Sequence, residues 1–294
     1  MSRNTGLSRL SEEGIMVKKK SSKWIILVLI ILAAFISIFP FLWMVSTSFM
    51  SEDVIFALPI QLWPNKLFKA GMWENYKTVI SKYSFGLYTW NSFLISFLAA
   101  LGQIVVCPMA SFAFAKMRFP GRRWIYALLL MTLMIPVQVI IIPEYYLMMK
   151  LGWINSFLPL IIPSFLSGAL GTFMFISVFE AIPSAMFDAA VIDGASAYKI
   201  LWRVYFPQAT ASVATLFIIG FMNNWNDLLR PLLYLNKAKL YTVTIGLTRF
   251  QTEYTSSWAL LLTASVLSVL PLIIVYIFCQ RYIIENQMSA GVKG

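Results

Sequence analysis

Six apolar runs, each of roughly 20 residues or more, constrain this chain more than any other feature. They cover approximately residues 24–46, 88–115, 124–148, 157–179, 212–232 and 258–280. A helix rises 1.5 Å per residue, so about 20 apolar residues cross the roughly 30 Å of hydrocarbon in a bilayer. Composition says whether these runs are core or membrane. Of 294 residues, 60% are hydrophobic and 12% charged, against about 45–50% and about 25% in soluble domains. A soluble fold of this size could not hide so much apolar surface, so lipid is its solvent. The expected class is all-α, a polytopic membrane protein with six transmembrane helices. The chain is expected to be one membrane domain: a segment 1–23, a six-span core 24–280 and a tail 281–294. Pro40, Pro136 and Pro143 fall inside runs, where they predict kinks that neighbouring helices accommodate.

The first run follows Lys18-Lys19-Lys20, as the apolar part of a signal peptide would. It is longer than that part usually is, and no A-x-A cleavage site follows, so it is expected to stay as the first helix. Lys and Arg set the orientation. Arg3, Arg9, Lys18, Lys19, Lys20 and Lys23 precede the first run. KMRFPGRR, with Lys116, Arg118, Arg122 and Arg123, lies between runs two and three. Lys199 and Arg203 lie between four and five, and Arg281 and Lys293 follow the last. All are placed on the cytoplasmic side, with both termini inside. Lys66, Lys69, Lys237 and Lys239 fall in longer outer loops, where charge counts less. Residues 47–87 and 233–257 are the outer stretches, the first packing on the outer surface.

The net charge of +11 sits beside the apolar runs, unlike a nucleic-acid patch. Cys107 and Cys279 both lie in apolar runs and read as small buried hydrophobes. Histidine is absent, which removes the commonest metal ligand. No metal or catalytic site is expected, and the methionines, Met131, Met134, Met148 and Met149 among them, read as packing.

Between runs four and five lies a compact polar module, DAAVIDGASAYKILWRVYFP, from Asp188 to Pro207. Ser184 after Pro183 predicts a helix start, with Ser184 as N-cap and Asp188 in the first turn near the positive dipole end. A helix over 185–193 would close at Gly194 in a left-handed C′ position. Ser196 can cap a second helix running to Tyr205, with Pro207 marking its end. The result is a helix–turn–helix along the membrane surface. Its corner, Gly194-Ala195-Ser196, is made of small residues that let another protein's groove come close to the backbone. Phe187, Val191, Ile192 and Leu201 would anchor it to the spans or fill that groove. On composition alone it could equally be a plain polar loop.

The spacing resembles the loop of permease subunits of ATP-binding-cassette importers, which reads Glu-Ala-Ala, three residues, Gly, nine residues, Ile, one residue, Leu-Pro. Asp188-Ala189-Ala190, Gly194, Val204 and Phe206-Pro207 stand at those spacings, with Asp188, Val204 and Phe206 as conservative departures. Other segments resemble carbohydrate-uptake permeases of the maltose-importer type. They are NSFLIS at 91–96, ASFAFAKMRFPGRR at 110–123, MIPVQVIIIPEYYLMMKLGWINS at 134–156, IPSAMFDAAVIDGAS at 182–196, NNWNDLLRPLLYL at 223–235 and the tail SAGVKG. The resemblance implies a six-span subunit that pairs with a second homologous permease and two ATPase subunits. An extracytoplasmic binding protein would deliver a sugar. Asp188, Ala189, Ala190, Asp193, Gly194, Ala195, Ser196 and Pro207 would form the ATPase-coupling loop, and the tail would reach the ATPase pair. No G-x-x-x-x-G-K-[ST] loop occurs, so ATP and its Mg ion would be bound by the ATPase partner, and the chain itself would be no enzyme. The location implied is the bacterial cytoplasmic membrane, multi-pass.

Asn223, Asn224, Asn226 and Asp227 would lie about 17–23 Å along the fifth span from Ser212. Polar groups at that depth need a wet cavity or a protein partner. With Trp225 as a flat apolar face, the cluster could line the translocation path. Alternatively, Asp227 pairs with Arg230 and only locks helix packing. Glu144 after Pro143 is either a proton-relay carboxylate or a water-facing acid at the outer end of span three, with Tyr145 and Tyr146 in the interfacial belt. A secondary transporter would need several ionisable groups near the midplane or paired inverted repeats, and neither is evident. An importer of the same mechanism for a non-sugar solute, such as a glycerol phosphate, remains open.

Overall fold

A computed structural model describes residues 5–59, 61–64, 71–166, 168–252 and 257–291, and side chains within 23–281. Arg3, Lys66, Lys69 and Lys293, used above for orientation, lie outside the described residues, as do the side chains of Arg9, Lys18, Lys19 and Lys20 and of the tail beyond Arg281. The described residues are helical, with no strand among them. Twelve helices matter below: α1 Thr5–Ser48, α2 Phe85–Lys116, α3 Arg122–Met131, α4 Val137–Lys150, α5 Leu158–Leu166 and α6 Ala169–Ala181. Then follow α7 Ser184–Ile192, α8 Ala197–Gln208, α9 Thr210–Trp225, α10 Leu229–Tyr234, α11 Val243–Thr252 and α12 Trp258–Gly291.

Four stretches are long and apolar enough to cross a bilayer unaided: Lys23–Ser48, Phe85–Lys116, Leu158–Ala181 and Trp258–Arg281. Two more crossings exist only if a bent pair counts as one. In the first pair, Arg122–Met134 meets Val137–Lys150 at 104°. Span three is therefore broken, where a kinked but continuous helix was expected. The cause is the Ile135-Pro136 step, because a residue before proline is pushed out of the α region. Ile135 is extended, with φ −86° and ψ 114°. In the second pair, Ala197–Gln208 meets Thr210–Trp225 at 85°. Span five also ends sooner than expected, at Trp225, with a three-residue break before α10.

The chain packs as two compact units, Met1–Asn75 with Trp258–Val266, and Tyr76–Ser257 with Leu267–Gly294. In the first unit, the most apolar stretch of α1 buries nothing within the chain. Polar ties hold the segment after it. Asn75 Nδ2 donates to the carbonyls of Ser48 and Met50, at 2.9 and 2.8 Å. Ser46 Oγ donates to Leu62 O at 2.6 Å, and Thr263 Oγ1 to Ser48 O at 3.0 Å. The Glu52 carboxylate accepts from the backbone N–H groups of Trp258 and Ala259, both at 3.0 Å. It thereby satisfies orphan donors at the amino end of α12, where negative charge is favoured.

In the second unit, α2 is the central post, packed by α5, α6 and α9. Lipid offers helices no hydrophobic drive to associate, so close contact of small residues and polar ties must hold them. Gly171 of α6 meets the Cys107 sulfur and Leu216 so closely that a Cβ there would lie 2.7 Å from each. Ser111 Oγ bridges to Thr172 O at 2.8 Å. Two residues of NSFLIS pin the segment before α11: Asn91 donates to Lys239 O and Tyr241 O, and Ser92 Oγ accepts from Val243 N at 2.8 Å.

Candidate functional site

The polar module folds as two short helices around a tight corner. α7 closes in a Schellman motif, with Gly194 N–H donating to Val191 O and Ala195 N–H to Ala190 O, both at 3.0 Å. Gly194 has φ +72°, the left-handed conformation, and a Cβ there would meet nothing within 4 Å. Ser196 Oγ accepts from Lys199 N at 3.4 Å, capping α8. Three details differ from the sequence reading. Asp188 is the fifth residue of α7, past the first turn where it was expected, because the helix starts at Ser184. Pro183 holds the N-cap position, so Ser184 is the first helical residue, and neither side chain caps. Pro207 lies inside the last turn of α8, which continues to Gln208. A proline there would normally strike the carbonyl four residues back. The preceding π turn, Leu201–Tyr205, widens the helix just where that contact would fall. Gln208 Nε2 also donates to Val204 O at 2.7 Å.

One side of this module is fastened and the other is open. Ile200, Leu201 and Tyr205 are buried in a cluster with Cys107, Phe112, Phe175, Phe179 and Leu216. Tyr205 meets Phe112 edge-on at 5.2 Å and Phe179 at 5.5 Å. Lys116 of the KMRFPGRR run sits 5.4 Å from the Tyr205 ring centre and donates to Ile182 O at 3.0 Å. Burial pushes the Tyr205 phenol up, and the Asp188 charge adds to that. Ala190 and Ala195 are half-buried against the same cluster. On the open side, Asp188, Ala189, Asp193, Gly194, Ser196 and Pro207 are exposed. With them stand Val191, Ile192 and Tyr198, at 50, 85 and 67% exposure. Together they leave a bare apolar patch on a polar corner (scattered single residues would mean nothing).

The second candidate cluster is divided. Asn224 is tied within the chain, Nδ2 donating to Gly220 O at 2.8 Å while Ser164 Oγ donates to Oδ1 at 3.4 Å. Trp225 is 2% exposed and its ring stacks on Phe221 at 5.6 Å, so it offers no flat face to a solute, contrary to expectation. Its ring packs inward behind Phe221, which itself meets Phe93 of α2 edge-on at 5.9 Å. Asn226 and Asp227 lie past the end of α9, in the break. Asp227 Oδ1 accepts from Arg230 N at 3.3 Å, and its other oxygen is 3.9 Å from the Arg230 guanidinium. Arg230 Nε is 3.3 Å from Glu144 Oε1, too poorly directed for a hydrogen bond but close enough for an ion pair. Glu144 is 12% exposed, so it does not face water as expected; Arg230 has reached it from α10. Tyr145 likewise stacks on Tyr234, at 6.0 Å. Only Asn223 and Asn226 of the cluster stand exposed. A cavity of about 630 Å³ lies elsewhere, around Thr132, Pro143, Glu144, Trp153 and Arg230, and its wall is mostly apolar.

Sequence reasoning missed Asn155. Its backbone N–H donates to Tyr234 O at 2.8 Å, its side chain accepts from Asn236 N at 2.7 Å, and its φ is +60°. The signal was local: asparagine tolerates the left-handed region better than most residues.

A family model described as "binding-protein-dependent transport system inner membrane component" matches residues 107–285, which include the whole corner and the Asn cluster. The chain is 32% identical over 286 residues to the arabinooligosaccharides transport system permease protein AraQ of Halalkalibacterium halodurans, covering 95% of this chain and 100% of that one. It is 32% identical to the sn-glycerol-3-phosphate transport system permease protein UgpE of Brucella abortus, covering 88% and 93%. It is 28% identical to the lactose transport system permease protein LacG of Rhizobium radiobacter, covering 88% and 92%. Among solved structures, a chain of a bacterial ABC transporter involved in the import of the acidic polysaccharide alginate shares the fold. The TM-score is 0.77 at 22% identity, over 90% of this chain and 98% of that one. On the profile match and the full-length similarity together, the chain belongs to the family of inner-membrane components of binding-protein-dependent transport systems.

Proposed function

We propose that this chain is the permease subunit of an ATP-binding-cassette importer for a sugar, and that its 184–207 corner receives the ATPase stroke. The observation that carries the proposal is the two-sidedness of the corner. Ile192 and Val191 stand bare at its tip, while Tyr205 and Leu201 are locked into α2, α6 and α9. A push on the tip therefore reaches spans without first being lost in a loose loop, as a rigid-body transition requires. The chain works as a transporter subunit and carries out no chemistry of its own. ATP and Mg belong to two partner ATPases; a second, homologous permease completes the path and an extracytoplasmic binding protein loads it. The chain crosses the cytoplasmic membrane six times with both termini inside, as one permease domain. Asn223 and Asn226, the two exposed amides, face the path; Asn224, Trp225 and Asp227 support them from behind.

The test is retention of the ATPase. Ile192→Asp places a charge at a fully solvated tip and leaves the packed side alone. The complex purified in mild detergent should lose its ATPase subunits while the permease pair stays together. Undiminished ATPase retention and uptake in the Ile192→Asp complex would remove the coupling role. As to cargo, the relatives named for arabinooligosaccharides and lactose support a sugar. A second reading, a phosphorylated polyol, is favoured by the equal likeness to UgpE. Uptake of labelled oligosaccharide against labelled glycerol phosphate by the reconstituted complex separates the two.

A further inference from the structure

We propose that the start of α3 carries a binding site for the headgroup of an anionic phospholipid. A cavity of about 360 Å³ opens there, lined by Phe114, Arg122, Arg123, Tyr126, Ile176 and Glu180, within the size range of small-ligand pockets. Its floor is apolar and firm. Phe114 and Ile176 are buried, and the Tyr126 ring packs on Phe114 at 5.4 Å. Its rim is cationic. Arg122 and Arg123 line it, Lys116 and Arg118 lie within the same eight residues of sequence, and among the described residues the only acid in the lining is Glu180.

The electrostatics leave a surplus of positive charge. Arg122 is 3.9 Å from Glu180 across a largely solvated gap. Arg118 and Arg123 have no ion-pair partner among the described residues. Both Arg122 and Arg123 also stand in the first turn of α3, where the helix end is itself partly positive, so cations there are disfavoured until an anion joins them. The Lys116 ammonium is turned away to Ile182 O, at 3.0 Å, and is not part of the lining.

The surroundings say which anion. Trp124, Ile125 and Leu128 continue from the arginines along α3 and are 76, 49 and 62% exposed. A tryptophan followed by bare aliphatic residues marks the water–hydrocarbon boundary. An anion arriving there with acyl chains attached covers that surface; a free anion does not. Two arginine forks suit a phosphodiester, and basic pockets between spans favour anionic headgroups. Phosphatidylglycerol fits each part: its phosphate on Arg122 and Arg123, its glycerol hydroxyl donating to Glu180, its chains along Ile125 and Leu128. The site holds whichever leaflet this end of α3 faces.

Native mass spectrometry of the full chain, released from detergent with phosphatidylglycerol or phosphatidylcholine of the same acyl chains, tests this. The wild-type chain should retain phosphatidylglycerol with roughly tenfold preference, given the contribution of each basic residue at an anionic surface. Arg123→Gln, at an exposed and unpaired side chain, should lower that preference several-fold without disturbing the fold, and Arg122→Gln with Arg123→Gln should abolish it. Lys237→Gln with Lys239→Gln, removing equal charge elsewhere, should leave it intact. Equal retention by the arginine variants would overturn the site, as would an equal loss in the lysine variant. Displacement of the lipid from the wild-type chain by millimolar inorganic phosphate would show a free-anion site instead.

Discussion

At the scale of the residue, Arg230 holds two acids of the second unit through one guanidinium. It sits between two carboxylates, 3.3 Å from Glu144 and 3.9 Å from Asp227, at 29% exposure. Removing it leaves two poorly solvated acids facing one another. Breaking a buried pair from one side costs about 3–5 kcal/mol; partial exposure here reduces the expected loss to about 2 kcal/mol. Arg230→Ala should therefore lower the unfolding midpoint in detergent, and adding Glu144→Gln should recover part of it. A midpoint in the double variant as low as in Arg230→Ala alone would mean the acids do not repel. Gly194 makes a gentler case. Nothing surrounds its missing Cβ, so Gly194→Ala costs only the left-handed backbone, about 1–2 kcal/mol, and Gly194→Asn should cost less. Both are measurable as faster hydrogen exchange at Ala195 and Ser196. These two residues also mark what a sequence can tell. Gly194 and Ser196 were legible because capping is decided within a few positions. Glu144 and Trp225 were not, because their environments depend on Arg230 and on the packing of α9 against α2, far away along the chain.

At the scale of the element, α8 behaves as a peg set into a socket. Tyr205 is fully buried among Phe112, Phe179 and the Lys116 ammonium. Truncating a buried aromatic of this size costs about 3–5 kcal/mol. Tyr205→Ala should loosen the peg while leaving the exposed tip unchanged. The expected phenotype is an assembled complex that hydrolyses ATP but moves little solute, assayed as phosphate released per solute imported. A normal ratio would mean the stroke travels by another route. The helices' existence and apolar character were plain from periodic composition. Their breaks were less so: the Ile135-Pro136 step was visible as a kink, but a 104° turn depends on what the two halves pack against. The π turn before Pro207 left no mark of its own in the sequence, since a proline near a helix end reads simply as a stop.

At the scale of the whole molecule, the first helix is the least covered by the rest of the chain. The most apolar part of Lys23–Ser48 buries nothing within the chain. Such a surface is covered by lipid or by another apolar chain. Expressed by itself and reconstituted, the full chain should show no solute uptake with or without ATP; uptake by the lone chain would end the transporter-subunit reading. Copurification in mild detergent should bring down a second hydrophobic chain.

The Glu52 clasp on the amino end of α12 joins residues more than 200 positions apart. Its acceptor is synthesised early and its donors near the end. While the ribosome is still making the chain, the segment after α1 waits without those two donors. The connection that follows the first helix is thus completed only after the last has emerged, and a nascent chain halted before Trp258 would reach the membrane with its earliest part still unfinished.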